Sequence, residues 1–163
     1  MARKLTFRDI AGSNGPFGME YLYDISDPIG SKSGCTNSPD DVALVQFFLA
    51  GYFLTDQDRP LGKLSIDGKF GPMTHYWCLY FKDKMEFGMK KILSDSYNMI
   101  TQYRSMGISA SSSFMLFLNV QYFNSHRSIF NTLEEKTSTF PLSTATSIKR
   151  RPSTVNRGVH EYR

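Results

Sequence analysis

The chain has 163 residues, 40% of them hydrophobic and 14% aromatic, which is enough apolar material for the core of one globular domain. No stretch approaches the roughly 18 consecutive apolar residues of a membrane-spanning helix, and the aromatic content excludes a chain that is disordered over most of its length. The formal net charge of +4 is unevenly placed, since residues 136–163 carry +5 and residues 1–135 carry −1. Basic charge outside the expected folded body argues against a nucleic-acid-binding domain, whose basic residues normally line a folded face.

The first 36 residues predict a hairpin followed by a loop. Charged residues return within the first nine positions, before an apolar stretch of about 7–15 residues can form, so no secretory signal is predicted and synthesis in the cytoplasm is expected. Residues 5–10 and 19–25 alternate in character around a turn-forming segment, which predicts two antiparallel strands. Residues 27–38 are rich in turn formers and predict a loop.

The clearest helix signal begins at Ser38. This serine can cap a helix, Pro39 suits the first helical position, and Asp40 and Asp41 occupy the first turn, with Asp41 completing an approximate capping box. Apolar residues then recur at three- and four-residue intervals, and these are Val42, Val45, Leu49 and Tyr52. The spacing predicts a helix over 40–53.

Two further helices are predicted along the chain. Gly71 and Pro72 favour a helix start, and one apolar face follows over 72–84, formed by Met73, Tyr76, Trp77, Tyr80 and Phe81. Serines 111–113 favour the start of a third helix that carries Phe114 and Leu118, with an alternative in which it continues towards Phe130. Residues 86–110 are compatible with either helix or strand.

An ordered set of positions lies between residues 37 and 84. The set consists, in chain order, of a first-helix pattern, a Gly-Tyr pair, an Asp-Gly-x-Phe-Gly turn and a following helix. The residues that form it are Val42, Val45, Gln46, Leu49, Gly51, Tyr52, Asp67, Gly68, Phe70, Gly71, Thr74 and Phe81. This order resembles the peptidoglycan-binding-domain-like family, small three-helix modules that are often attached to cell-wall hydrolases. Leu118, Asn119 and Tyr122 are similar to a third-helix pattern of larger members, while Lys82 stands where the family has glutamine.

The resemblance implies a mainly α fold, a three-helix peptidoglycan-binding-domain-like bundle over residues 37–135. Residues 1–36 would add an N-terminal β-hairpin and loop, and residues 136–163 an extended, basic, Ser/Thr-rich C-terminal tail. No amphipathic pattern is evident in this tail, so we expect it to be disordered unless a neighbouring chain holds it. Within it, Lys149, Arg150 and Arg151 predict contact with a partner surface, with a solvated segment as the alternative.

Most of the matched positions have structural roles. Asp67 and Gly68 favour a tight turn in which glycine accepts a positive φ, and Gly71 ends this segment before the next helix. An unpaired amide on the apolar first helix would be costly, so Gln46 is expected to bond to the backbone of the 67–70 turn. Phe70 is expected to lie between helices.

A surface beside this turn is the candidate ligand site. Asp67, Lys69, Tyr76, Trp77 and Tyr80 could together form a shallow platform for a glycan or for a partner protein. The alternative is that the aromatic stripe, at helical spacing, belongs to the core. The exposure of Trp77 distinguishes the two interpretations.

The residues predict no catalytic or metal site. His75 and Cys78 lie three residues apart on the second predicted helix, but no second pair at matching spacing completes a ligand set. The adjacent carboxylates at 40–41 and at 134–135 do not face each other on a helix, as a pair acting across one glycosidic bond would have to. A non-enzymatic protein without a cofactor is therefore expected.

Three functions remain open at this stage. The first is a structural or docking subunit of a large assembly such as a phage tail or contractile injection particle, held to neighbours by the hairpin and the tail. The second is a free-standing peptidoglycan-binding protein of the cell envelope, and the third is an effector or cargo of unrecognised activity. The first function accounts best for three expectations together: a wall-binding-like module, no secretory signal and no attached enzyme. It requires neither nucleic-acid binding nor membrane insertion.

Overall fold

A computed structural model describes residues 1–8, 15, 18–31, 33–54, 56–88, 99–100 and 114–150. Over these ranges the chain is mainly α-helical with a small antiparallel hairpin. The strands are β1 (Arg3–Thr6), β2 (Tyr21–Asp24), β3 (Ile29–Gly30) and β4 (Met99–Ile100). The helices are α1 (Pro39–Phe53), α2 (Pro72–Gly88), α3 (Phe114–Ser125), α4 (Leu133–Lys136) and α5 (Leu142–Arg150). Among the described residues, no helix combines the length and the apolar character needed to cross a membrane.

The central element is α1. All of residues 41–49 are buried, because α2, α3 and α5 pack around this helix. The predicted helix over 40–53 is confirmed. Its glycine at position 51 permits the close approach of α3, since a Cβ there would lie 2.3 Å from the ring of Tyr122. The Tyr122 ring also lies 5.0 Å from that of Phe48, so aromatic contacts fill the space between the two helices.

The second and third predicted helices are also confirmed. Helix α2 begins at Pro72 and continues one turn past the predicted end at 84. Helix α3 ends at Ser125, so the alternative in which it continues towards Phe130 is wrong, and a 3₁₀ turn (Phe130–Thr132) follows before α4. For residues 86–110, the sequence left both helix and strand open. Most of them lie outside the described ranges; the described ones are the end of α2 and strand β4, which pairs with β3.

The first turn of α1 differs from the prediction. Ser38 precedes the helix, but its side chain makes no capping hydrogen bond to the first turn of α1. The fully buried Asp41 carboxylate instead accepts hydrogen bonds from the backbone N–H groups of Ser26 and Asp27, each at 3.3 Å. The predicted capping box is wrong because the preceding loop offers Asp41 these two amides. Burial raises the pKa of Asp41, although the Met1 ammonium 3.3 Å away and the two amides oppose that shift.

The predicted hairpin is present with a shifted first strand. β1 and β2 pair antiparallel with Lys4 opposite Tyr23, so the first strand lies at Arg3–Thr6 rather than at 5–10. At the paired position, the guanidinium of Arg3 lies 2.8 Å from the buried Asp24 carboxylate. This cross-strand ion pair stabilises the pairing of β1 with β2 at its charged end.

A side chain of α3 fastens the hairpin to the helices. The Asn119 Oδ1 accepts a hydrogen bond from the Tyr23 backbone N–H at 2.9 Å, and its Nδ2 donates to the Tyr23 carbonyl at 2.8 Å. Asn119 is completely buried, and it also donates to the Met115 carbonyl. The amide thus satisfies both backbone groups of a strand residue, as a neighbouring strand would.

A buried polar cluster joins the hairpin to α4. The Lys4 Nζ lies 2.7 Å from Glu134 Oε1 and also donates to the Asn131 carbonyl, while the Tyr23 hydroxyl donates to Glu134 Oε2 at 2.6 Å. Only 15% of the Lys4 side chain and 8% of the Glu134 side chain are exposed. Burial, together with the neighbouring Glu134 carboxylate, raises the pKa of Tyr23 and keeps its hydroxyl a donor.

In the Glu134→Gln variant, the free energy of unfolding is expected to fall less steeply as the pH is lowered than it does in the wild type. Burial favours the protonated carboxyl, but hydrogen bonds from Lys4 and Tyr23 outweigh it and hold the pKa of Glu134 below its ordinary value of 4.5. A carboxyl with a lowered folded-state pKa contributes stability above its unfolded-state pKa and loses it as pH falls through the folded value. Urea unfolding in a pH series that starts above 4.5 and runs below it measures this slope. Glu135→Gln, at the exposed neighbouring position, is the matched control for the loss of one carboxylate, and equal slopes in Glu134→Gln and this control would contradict the assignment.

The C-terminal segment departs most from the sequence interpretation. Residues 142–150 form α5, which packs on α1, β1 and α4, so the expectation of an extended, disordered tail is wrong over this range. The buried face consists of Thr144, Ala145, Ser147 and Ile148. The hydroxyl of Thr144 donates to the Asp40 carbonyl at 3.1 Å, and that of Ser147 donates to the Asp40 carboxylate. Lys149 is exposed, Arg150 ends the helix, and Arg151 lies outside the described residues.

Candidate binding site

The side chain of Gln46 organises the turn that the sequence singled out. Gln46 is 1% exposed on α1, and its Oε1 accepts hydrogen bonds from the backbone N–H groups of Asp67 at 3.0 Å and Gly68 at 2.9 Å. Its Nε2 lies 3.1 Å from the Lys69 carbonyl and 2.9 Å from Thr74 Oγ1. The predicted bond between this amide and the turn backbone is confirmed. One buried side chain thereby connects α1, the 67–70 turn and the first turn of α2.

The turn itself is closed by Asp67 and Gly68. The exposed Asp67 carboxylate accepts a hydrogen bond from the Lys69 N–H at 3.0 Å, and this bond, with a second from Gln46, lowers the pKa of Asp67. Gly68 has φ +71°, and a Cβ there would lie 2.8 Å from the Pro39 carbonyl oxygen. Both the backbone angle and the contact with the start of α1 therefore require glycine.

Replacing Gly68 by alanine is expected to destabilise the fold more than the same change at Gly34. Gly34 also has a positive φ, +89°, but a Cβ there has nothing within 4 Å, so Gly34→Ala should cost only the roughly 1–2 kcal/mol of a left-handed residue. Gly68→Ala adds the backbone contact with Pro39 and should cost at least about 1 kcal/mol more. Urea unfolding of both variants measures the difference, and equal losses would show that the Pro39 contact relaxes freely.

An open cleft of about 460 Å³ lies beside this turn. One wall consists of Gly30, the last residue of β3, with Ser31 and Asn37 from the following loop. The other consists of Phe70, Gly71, Pro72 and His75, from the turn and the start of α2. The half-buried ring of Phe70 packs on the core and lies 6.1 Å from the imidazole of His75. The cleft therefore brings an aromatic ring, an imidazole and the Asn37 side chain to one open depression of the surface.

Asn37 has an unusual conformation on the first wall. Its φ is +52°, a region that asparagine tolerates better than other non-glycine residues. Its Oδ1 accepts a hydrogen bond from the Gly30 N–H at 2.8 Å, and its Nδ2 donates to the Gly30 carbonyl at 3.0 Å. Both backbone groups of Gly30 are thus occupied by a side chain of the cleft.

The predicted ligand platform divides into two parts. Asp67 and Lys69 are exposed on the turn beside the cleft. Tyr76, 40% exposed, and Tyr80 lie edge to face with ring centroids 6.1 Å apart on α2, and the Tyr80 hydroxyl donates to Asp58 in the preceding loop. That hydrogen bond raises the pKa of Tyr80. The two tyrosines therefore belong to the side of α2 that faces the 56–60 segment.

Trp77 does not belong to the platform. It is only 6% exposed, and its ring meets that of Phe53 edge to face at 5.6 Å. Because Trp77 follows Tyr76 by one residue, its side chain points about 100° further around the helix and into the core. The assignment of Trp77 as a ligand-binding residue is therefore wrong, and the core interpretation of the stripe is confirmed at this position.

Three carboxylates and one cysteine of the described chain have structural surroundings. Asp40 accepts a hydrogen bond from Ser147, Asp41 from the loop before α1, and Glu134 from Lys4 and Tyr23. Cys78 is buried, which raises the pKa of its thiol. No group of three or more His, Cys, Asp or Glu side chains within the described ranges could hold a metal ion.

No protein-family model, no curated protein and no solved structure matches this chain. The resemblance to the peptidoglycan-binding-domain-like family therefore depends on the pattern of residues alone. The sequence identified the Gln46 turn but missed the facing wall at Gly30, Ser31 and Asn37. Asn37 is followed by Ser38 and Pro39, and nothing in this local sequence indicates that its amide bonds to Gly30, seven residues earlier.

Proposed function

We propose that this chain is a non-catalytic binding module in which α1, α2 and α3 form a peptidoglycan-binding-domain-like bundle, and that it acts as a structural or docking subunit of a large assembly such as a phage tail or contractile injection particle. The observation that carries the proposal is the Gln46 network. Residues scattered over the matched pattern, Gln46, Asp67, Gly68 and Thr74, share one set of hydrogen bonds. Such a network supports a rigid turn that presents an adjoining cleft.

Exposed apolar side chains support docking to other proteins. Leu61 is 83% exposed, and Met73 and Tyr76 are about 40% exposed on the adjoining start of α2. The Met73 side chain reaches Gly62, next to Leu61, so these residues form one apolar surface. Exposed apolar surfaces on small proteins commonly mark interaction sites.

A second candidate function is a free-standing peptidoglycan-binding protein. The cleft favours it, because an aromatic ring beside polar groups suits a glycan or a short peptide. Exposed Asp67 and Lys69 on the adjoining turn would supply additional hydrogen bonds to such a ligand.

Size fractionation of extracts from the producing cell tests the first function. The protein is expected in fractions far larger than its 18.6 kDa mass, and Leu61→Asp should shift it to the monomer position. Leu142→Asp is the matched control, because Leu142 is also 83% exposed but lies on α5. Recovery of the wild type only as a free monomer would reject the docking function.

Retention on insoluble peptidoglycan tests the second function. Free-standing wall binding predicts strong retention that falls with Lys69→Ala and not with Lys63→Ala, since both lysines are exposed but only Lys69 lies in the turn beside the cleft. Lack of retention, together with recovery in large particles, would favour the docking subunit.

A further inference from the structure

The segment between α1 and α2 holds one leucine out from the surface. The residues on either side of the stretch 61–63 are buried, whereas Leu61 within it is 83% exposed. Gly62 has φ +88°, and a Cβ there would lie 3.1 Å from the terminal methyl group of Met73, so this stretch packs on the start of α2. We refer to Leu61, Met73 and Tyr76 as the Leu61 surface.

The acidic side chains of the same segment are already paired. The Lys84 Nζ lies 2.6 Å from Asp56 Oδ2, and this contact lowers the pKa of Asp56. The Asp58 carboxylate accepts a hydrogen bond from the Tyr80 hydroxyl, and one of its oxygens lies 3.5 Å from the same ammonium group. Both carboxylates of the segment 56–63 therefore interact with side chains of α2.

The basic side chains of the segment are exposed on both sides of Leu61. Arg59 and Lys63 are each two residues away, so their Cα atoms lie within about 7 Å of that of Leu61. Within the part of the chain that the structure describes, neither side chain forms an ion pair. The Leu61 surface therefore has an apolar centre and a positive border, which complement an apolar depression surrounded by carboxylates.

The small apolar area favours a protein partner over a lipid bilayer. A single myristoyl chain attaches a protein to a bilayer only marginally. Leu61 is one short side chain, and Met73 and Tyr76 are only about 40% exposed, so this surface offers less apolar area than such a chain. Its two cations also fall short of the roughly four to eight that form a lipid-binding basic cluster.

The same cations argue against a second copy of this chain as the partner. Most homodimers pair one patch with the identical patch of the other subunit across a two-fold axis. Such a pairing would bring the Arg59 and Lys63 side chains of both copies together, and opposed like charges weaken binding. A different protein that carries carboxylates is therefore the better match.

We infer that the Leu61 surface docks into an apolar depression on a different protein, and that aspartate or glutamate side chains on its rim pair with Arg59 and Lys63. This inference rests on the proposed docking function and names the chemistry of the partner. In protein interfaces, an apolar centre excludes water, whereas charges at the rim guide the encounter and select the partner. Leu61 has the first role here, and the two cations have the second.

Photo-crosslinking in the producing cell identifies the partner. Benzoylphenylalanine in place of Tyr76 keeps an aromatic ring at a half-exposed position of the Leu61 surface and leaves Leu61 itself unchanged. Irradiation is expected to join this position to a protein other than this chain. Mass spectrometry of the digested product then locates the cross-linked peptide, which should lie beside aspartate or glutamate residues on the partner's surface.

Charge reversal measures what the two cations contribute to binding of the purified partner. Arg59→Glu combined with Lys63→Glu is expected to weaken binding at least about tenfold at roughly 50 mM salt, and less at roughly 500 mM, where screening is stronger. Changing the partner's rim carboxylates to lysine should restore binding of this variant. Arg127→Glu combined with Lys136→Glu is the matched control, because it makes the same change in net charge at exposed positions elsewhere and should leave affinity within about twofold.

Several results would overturn the inference. These are no protein cross-linked at position 76, a cross-link to a second copy of the chain, a cross-linked peptide without neighbouring carboxylates, equal affinities of the charge-reversed variant and its control, or no restoration by the partner's lysines. Co-sedimentation with vesicles of phosphatidylcholine and phosphatidylglycerol that is lost in Leu61→Asp would also overturn it and assign the surface to a membrane.

Particle fractions separate failure of the inference from failure of the docking function. If Leu61→Asp leaves the large particles while the variant reversed at Arg59 and Lys63 stays in them, the docking function stands and the inference alone is rejected. Recovery of the wild type only as a free monomer would reject the docking function, and the inference with it.

Discussion

Replacing Trp77 by alanine is expected to lower the free energy of unfolding by about 3–5 kcal/mol, the usual range for removing a large buried aromatic side chain. Trp77 is 6% exposed and meets the Phe53 ring edge to face, so truncation removes this contact and leaves a cavity between α1 and α2. Urea denaturation followed by circular dichroism measures the loss. Any loss of binding by this variant would reflect unfolding, so it does not test the ligand site.

Tyr76→Ala provides the control for Trp77. The two aromatic residues are adjacent on α2, but Tyr76 is 40% exposed, and its truncation should cost less than about 1 kcal/mol. A Trp77→Ala variant as stable as the Tyr76→Ala variant would show that the indole lies on the surface, and it would restore Trp77 to the candidate platform.

Replacing Gln46 by leucine is expected to lower the free energy of unfolding by about 2–4 kcal/mol. Leucine has a similar volume but leaves the buried Gly68 N–H without its acceptor, and removes the bonds to the Asp67 N–H, the Lys69 carbonyl and Thr74. Each unsatisfied buried polar group carries its own desolvation cost. Denaturation curves give the global loss, and faster hydrogen exchange at Gly68 would locate it in the turn.

Gln121→Leu is the comparison for Gln46. Gln121 is a half-buried glutamine on α3, where the change should alter stability by about 0.5 kcal/mol or less. Similar small effects at both positions would mean that the 67–70 turn holds its shape without the amide of Gln46.

The parts of the fold that followed from the sequence have large apolar side chains at regular spacing. Helix α1 and helix α2 were predicted to within a turn, because Val45 and Leu49 in the first, and Trp77 and Phe81 in the second, repeat at helical intervals. Helix α5 is amphipathic, but it was missed because Ile148 is the one large apolar residue on its buried face, and the other three, Thr144, Ala145 and Ser147, are small.

The candidate site was predictable only where its contacts follow from the chemistry of a single residue. A buried glutamine needs partners, and a nearby Asp-Gly turn supplies them, so the Gln46 network could be anticipated. The cleft depends on the distance between the 30–37 loop and the 70–75 segment, which tertiary packing sets and no local pattern encodes. For the same reason Asp41 was assigned to a helix cap, although it bonds a loop fifteen residues earlier.

The enclosure of α1 has a consequence for the order in which the protein can fold. Its surroundings come from both ends of the described chain, since the Met1 ammonium contacts Asp41 and Ser147 contacts Asp40. Contacts between such distant positions carry a large loop-closure entropy and slow folding. During synthesis on the ribosome, α1 lacks the cover of α5 until residues 142–150 have emerged, so part of its apolar surface stays exposed to aggregation for longer than the part covered by α2 and α3.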